Sequence, residues 1–175
     1  MPDPALSAAL KEAYATPTSG VVVYHTLEIW NAALSAPIRV VRDEAALDAR
    51  LEAGAPRDAG AVVTFAAYAF EIVPPEQSTS ALPSCSIEID NVDRLILAQL
   101  DAAVVSGSPI TIMYRQFLST GLGVGPENNP VMTLTAISIS ATPQRIRMTA
   151  GFPDLLNRKF PAVEYDAEVF KGLVA

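Results

Sequence analysis

Between Met132 and Phe152 apolar and polar residues alternate with a period of two, the pattern of a β-strand with one buried face. Met132 and Leu134 alternate with Thr133 and Thr135. The parity then changes at Ala136, after which Ile137 and Ile139 alternate with Ser138 and Ser140. An uncorrected slip would turn every later side chain to the wrong face, so the break predicts a β-bulge. Thr142-Pro143-Gln144 turns the chain, and Ile146, Met148, Ala150 and Phe152 return as the second arm of a hairpin with Arg145, Arg147 and Thr149 outside. The same alternation sets Cys85, Ile87 and Ile89 against Ser86, Glu88 and Asp90, which places Cys85 toward a core.

The rest of the chain fits around these strands. A first helix is expected to about Ala15, capped by Asp3, with Pro4 in its first turn and Leu6, Leu10 and Tyr14 spaced by four. Thr16 to Gly20 breaks it. Val21 to Trp30 then reads as a strand buried on both faces, and Ile38 to Arg42 as a short one. Asp43 to Leu51 is ambiguous, its Leu47 and Leu51 having helical spacing. Ala61 to Val73 reads as one long strand stopped by Pro74 and Pro75. Val92, Leu95, Ile96, Leu100 and Val104 form an apolar stripe that predicts the main helix, followed by a strand carrying Ile110, Ile112 and Tyr114. Ser119 to Pro130, with Gly121, Gly123, Gly125 and two prolines, is expected as a long exposed loop. Residues 153–175 lack a steady period and read as a docked arm. The sum is a single α+β domain over 1–175, mainly antiparallel β, as a β-sandwich or open barrel flanked by helix, with an N-terminal helix in 1–16 and a C-terminal docking arm in 153–175.

Composition narrows the chemistry. The 175 residues carry 12 basic and 19 acidic side chains, a net charge of −7 that repels nucleic acid and anionic membranes. Half of the residues are apolar, enough for a core. The longest uncharged segment, Asn128 to Gln144, is too polar to span a bilayer, and the N-terminus lacks the pattern of a signal peptide, so folding in a cytoplasm is expected. With one Cys and one His, neither an intrachain disulfide nor a multi-cysteine or two-histidine metal site can form, and no cofactor is indicated.

The remaining candidates each have a plain structural alternative. His25 would have to serve as the base of any Ser-His-Asp or Cys-His device, but it shares a strand face with Val21, Val23, Leu27 and Ile29 and reads as a packed neutral imidazole with one hydrogen bond. Cys85 reads as an inert core thiol. Glu88, Asp90 and Asp93 could bind a hard cation or act on a glycosidic bond, yet a solvated sheet face plus a helix cap explains them as well. Gly121-Leu-Gly-Val-Gly125 resembles a phosphate cradle only superficially, since prolines rather than a helix follow it; it reads as a flexible loop tip. Arg158 and Lys159 are either exposed turn charges or contacts to a neighbouring subunit.

Gly151-Phe-Pro-Asp-Leu-Leu-Asn-Arg-Lys-Phe-Pro161, Tyr165, Phe170-Lys-Gly-Leu173, Ile87-Glu-Ile-Asp-Asn-Val-Asp93, Ala5-Leu-Ser-Ala-Ala-Leu-Lys-Glu-Ala-Tyr14 and Pro37-Ile-Arg-Val-Val-Arg-Asp43 together give the chain a recognisable cast. It resembles an uncharacterised family of tail-module proteins of long-tailed phages and prophages. The resemblance implies a minor tail or tail-tip protein, with a tail-tube-like sandwich, a flanking helix and long loops, set in a sixfold ring near the receptor-binding hub. It implies no catalytic, cofactor or metal residues. On this reading Gly121, Gly123, Gly125, Arg158, Lys159, Phe160, Tyr165 and Phe170 are the subunit-contact candidates. The partners are copies of the chain and the neighbouring tube, tape-measure and hub proteins; the location is the virion tail tip, after assembly in the host cytoplasm. A tail-assembly chaperone and a tail-borne cell-wall hydrolase are the competing expectations.

Overall fold

The computed structural model describes residues 6–15, 20–73, 84–90, 105, 107–142 and 144–152. Among these, helix α1 spans Ala8–Ala15, and nine strands follow: β1 Val23–Trp30, β2 Ile38–Val41, β3 Leu47–Arg50, β4 Val62–Ala67, β5 Phe70–Val73, β6 Ser84–Asp90, β7 Thr111–Leu118, β8 Met132–Ala141 and β9 Arg145–Gly151. All nine join one mixed sheet in the order β3-β4-β2-β1-β7-β8-β9-β6-β5. Only β2 and β4 run parallel; every other neighbouring pair is antiparallel. The α+β, mostly β character matches expectation, as one open sheet.

The hairpin forms as the alternation requires. β8 and β9 pair with a register shift between Ala136 and Ser138, which leaves Ile137 as the extra residue, 68% exposed. Ile146, Met148 and Ala150 are buried, and Arg145 and Arg147 are exposed. β6 alternates likewise, with Cys85, Ile87 and Ile89 fully buried. Phe152 departs from the pattern: the strand ends at Gly151 and the ring stands half-exposed.

One ambiguous segment is resolved and two readings are corrected. Residues 47–50 form a strand, not helix: Leu47 and Ala49 face inward and Asp48 and Arg50 outward, and pairing with β4 overrides the local spacing. The long strand at 61–73 is broken at Tyr68 and Ala69, because its two halves serve different neighbours. Tyr68 N donates to Val41 O beside β2, and Asp90 N donates to Ala69 O beside β6. The first helix begins at Ala8 with Ser7 as its cap: Leu10 N donates to Ser7 Oγ at 3.1 Å and Lys11 N to Ser7 O at 3.0 Å. Asp3 and Pro4, the main helix expected after Asp90, and the arm from Pro153 onward lie outside the described residues.

One stretch of chain therefore touches the β2 side and the β6 side of the sheet, and the sheet curls around one core. Leu27, Ile29, Val40, Phe70, Ile87, Ile112, Leu134 and Met148 belong to that core, so β1, β2, β5, β6, β7, β8 and β9 share an inner face. A smaller cluster of Val41, Leu47, Ala49, Leu51, Ala55, Phe65 and Phe117 forms on the opposite face, under β3 and β4.

Candidate functional site

β1 and β7 lie side by side with Thr26 opposite Arg115, Leu27 opposite Tyr114 and Glu28 opposite Met113. Leu27 and Tyr114 point to the main core. Thr26, Glu28, Met113 and Arg115 share the other face, as does Arg39 opposite Glu28 on β2. That face carries charge out of water: Arg115 is fully buried and Glu28 is 1% exposed.

The buried charges are neutralised within the cluster. Arg115 donates from Nε and Nη2 to the two Glu52 oxygens, each at 2.8 Å, and from Nη1 to Glu28 Oε2 at 3.3 Å. Its Nη2 also lies 3.4 Å from Met113 Sδ. Arg39 Nε donates to Glu28 Oε2 at 3.1 Å, and its Nη2 reaches Asp58. Arg57 stands with Nε 3.7 Å from Glu28 Oε1 and its guanidinium 4.2 Å from the centre of the Trp30 ring. Three arginines thus face Glu28, Glu52 and Asp58, and the 52–58 turn is drawn down onto the sheet. Burial pushes the Glu52 carboxyl up, but the hydrogen bonds and charge of Arg115 outweigh it and the net pKa lies below the ordinary value.

A cleft of about 580 Å³ opens beside this cluster, between the 52–56 turn and the loop after β7, with Met113 and Thr133 among its lining residues. The glycine-rich segment forms its other wall. Expected as an exposed, flexible tip, the segment is instead pinned to the sheet. Gln116 N donates to Asn128 Oδ1 at 3.0 Å and Asn128 Nδ2 donates to Tyr114 O at 2.9 Å, while Glu127 N donates to Gln116 O and Arg50 N to Leu122 O. Ser7 N donates to Glu127 O, which ties α1 to the same loop. Asn128 is 5% exposed; its amide presents one donor and one acceptor to β7 beyond the end of the β8 pairing. Gly125 holds a φ of 138° that other residues rarely adopt, and a Cβ on Gly121 would come within 3.1 Å of Glu127 Oε1. Gly123 faces open space at the exposed tip.

The other candidates are engaged as follows. His25 Nδ1 lies 2.6 Å from Tyr114 Oη, the one hydrogen bond expected of it. Gln116 Nε2 donates to the same hydroxyl at 2.6 Å and to Tyr14 Oη at 3.1 Å. Burial first, then the Arg42 charge, holds the His25 pKa below its usual value, which favours the neutral ring. Burial pushes the Cys85 thiol up to about 11, so almost no thiolate exists at neutral pH. Glu88 pairs with Arg147 at 2.8 Å and Arg145 at 3.1 Å, and Asp90 with Arg145 at 3.4 Å. These two acids are balanced on an exposed sheet face. Asp93, Arg158, Lys159, Phe160, Tyr165 and Phe170 lie outside the described residues. Among the described residues no group of three or more His, Cys, Asp or Glu could hold a metal ion, and no helix is long and apolar enough to cross a membrane.

Sequence reasoning missed the charge cluster and Asn128. Glu28 and Arg115 are 87 positions apart. The signal available was two charged residues set within strands that are apolar on both faces, VYHTLEIW and TIMYRQFL.

The chain matches the model of DUF1833, a domain of unknown function, over residues 9–165, and so belongs to that family. No curated protein matches it.

Proposed function

We propose that this DUF1833 domain is a structural subunit of a phage tail tip, one copy of a ring that joins the tail tube to the receptor-binding hub. The observation that carries the reading is the pinned loop. A segment with three glycines, which would otherwise sample many conformations, is tied by the Asn128 amide, Glu127 and Leu122 into one wall of a fixed cleft. A contact surface ordered before binding loses less entropy on assembly, which suits a permanent position between neighbours. Of the three glycines Gly123 is exposed and Gly121 half-buried, and these would meet a neighbour, whereas Gly125 is buried and shapes the wall from beneath. A curved sheet with a helix tied to one loop is in keeping with the tail-tube-like build that the sequence resemblance implies.

The enzyme reading is the weaker one. Glu88 and Asp90, its best candidate residues, are held in ion pairs with Arg145 and Arg147. The proposal places the chain in the virion, in a sixfold ring with tube, tape-measure and hub proteins as neighbours. Electron microscopy and mass spectrometry of purified tails test it. The expected result is this chain in a symmetric ring of the mature particle; its absence there would favour an assembly chaperone. Val124, 84% exposed at the loop tip, offers a point test: Val124→Asp should fold normally yet enter tails poorly.

A further inference from the structure

Among the described residues β8 is the longest strand, and only its first part is paired on both sides. β7 covers Met132 to Thr135, and the last bond across that seam is Ala136 N to Ile110 O at 2.9 Å. Beyond it, among the described residues, Ser138 to Ala141 pair with β9 alone. This edge, which no described residue covers, borders a cleft of about 270 Å³ lined by Gly107 to Ile110 and Ala136 to Ile139. Unpaired strand edges are normally blunted by charge, proline or a covering element, because they template pairing with another chain. Residues 136–141 read Ala-Ile-Ser-Ile-Ser-Ala, with no charge and no proline.

We propose that this edge takes the same edge of a second copy, in antiparallel pairing around a two-fold axis at Ile139. The sequence is complementary to itself in that register. Ile139, which packs against the main core, falls opposite the partner's Ile139, and the exposed Ser138 falls opposite the partner's Ser140. The charges also fit. Arg147 lies beside Ser140 within one copy, and Thr149 lies beside Ser138. Across the seam the row therefore reads Glu88, Arg147, Ser140, then the partner's Ser138 and the partner's Thr149, so Arg147 does not meet its own counterpart. A chain of net charge −7 repels its copies elsewhere, and this is a neutral strip on which two can meet. The exposed Ile137 beside the strip gains cover in the same contact. The inference stands apart from the tail reading, since it concerns any two copies in solution.

Variants with one added cysteine test the register. Ser138→Cys and Ser140→Cys are made in the full chain, whose one natural thiol, Cys85, is buried. Direct cross-strand neighbours stand about 4.5–5.5 Å apart and can be bridged, whereas diagonal ones stand about 7–8 Å apart and cannot without movement. Under mild copper-phenanthroline oxidation the mixture of the two variants should give about tenfold more disulfide dimer than either alone, the ratio a bias of about 1.4 kcal/mol would produce. Equal cross-linking in mixture and single variants, or none in the mixture, overturns the pairing. Ser138→Lys, which in its own copy lies beside Thr149, places a cation next to the partner's Ser140 and the partner's Arg147; its sedimentation mass should fall to half that of the unaltered protein, with an unchanged melting temperature of the monomer. A mass equal to that of the unaltered protein overturns the proposal too. A chain present in tails but not cross-linked would end this inference alone; a cross-linked chain absent from tails would end only the tail reading.

Discussion

On one side of β1 and β7, Leu27, Ile29 and Ile112 pack into an apolar core; on the other side of the same strands, Thr26, Glu28, Met113 and Arg115 lie in a layer held together by ion pairs. Both layers exclude water, by different means. The apolar layer gains free energy in proportion to area, and many side chains share it. The ionic layer gives up hydration of at least two fully buried charges, which close pairing must offset, so its stability depends on every member being present. One layer should weaken by degrees and the other should fail when a single partner is lost.

Removing Glu28 should have the largest effect on the ionic layer. Glu28→Ala leaves Arg115 with Glu52 alone and frees Arg39 and Arg57 of their shared acceptor; a loss of about 3–5 kcal/mol is expected from urea unfolding. Replacing Glu28 and Arg115 together by Met should cost less than Glu28→Ala alone, because no unpaired charge stays buried between those two positions. If the double change costs more, the ion pairs contribute net stability and the two layers differ less. On the apolar side, Leu27→Ala should cost about 2–5 kcal/mol and leave unfolding cooperative.

Asn128→Ala removes two buried hydrogen bonds to β7 and should cost about 1–3 kcal/mol; hydrogen exchange should show the amide of Gln116 losing protection before those of β1 do. Acid provides a milder probe. The His25 pKa is lowered by folding, so the neutral ring's contribution is present above about pH 6.5 and is lost as pH falls through that region. The Glu52 pKa is also lowered, so its contribution persists at neutral pH and disappears at still lower pH. Stability should therefore fall in two steps on acidification, and His25→Gln should remove the first. Smallest of all, Arg147→Ala on the exposed β9 face should change stability by less than about 1 kcal/mol and should lose even that in high salt, since both partners are wet.

The comparison also explains what could be read from the sequence. The hairpin, its bulge at Ala136 and the inward face of Cys85 were legible because a strand with one wet face writes its period into the residues. β3 was not, because Leu47 and Leu51 fit both a helix and a strand over so short a piece, and only pairing with β4 decides. The break at Tyr68 likewise depends on which neighbours β4 and β5 find. The ionic layer was illegible for a deeper reason. A charged residue in a strand suggests an outward position, and its partner is fixed by topology rather than spacing. The pinned loop escaped for the same reason, since composition gave mobility and one amide took it away. Of the candidate contacts, only the glycine segment falls within the described residues, so it is the part of the proposed interface whose shape is known.

The Asn128 amide has one more implication. By standing in for a peptide group, it lets the sheet end its ladder without requiring a strand there. Residues 123 and 124 at the loop's exposed tip can then be exchanged while the framework, with Leu122 still tied to Arg50, keeps its fold. Such a framework could acquire new binding partners by editing a few codons and keeping one asparagine.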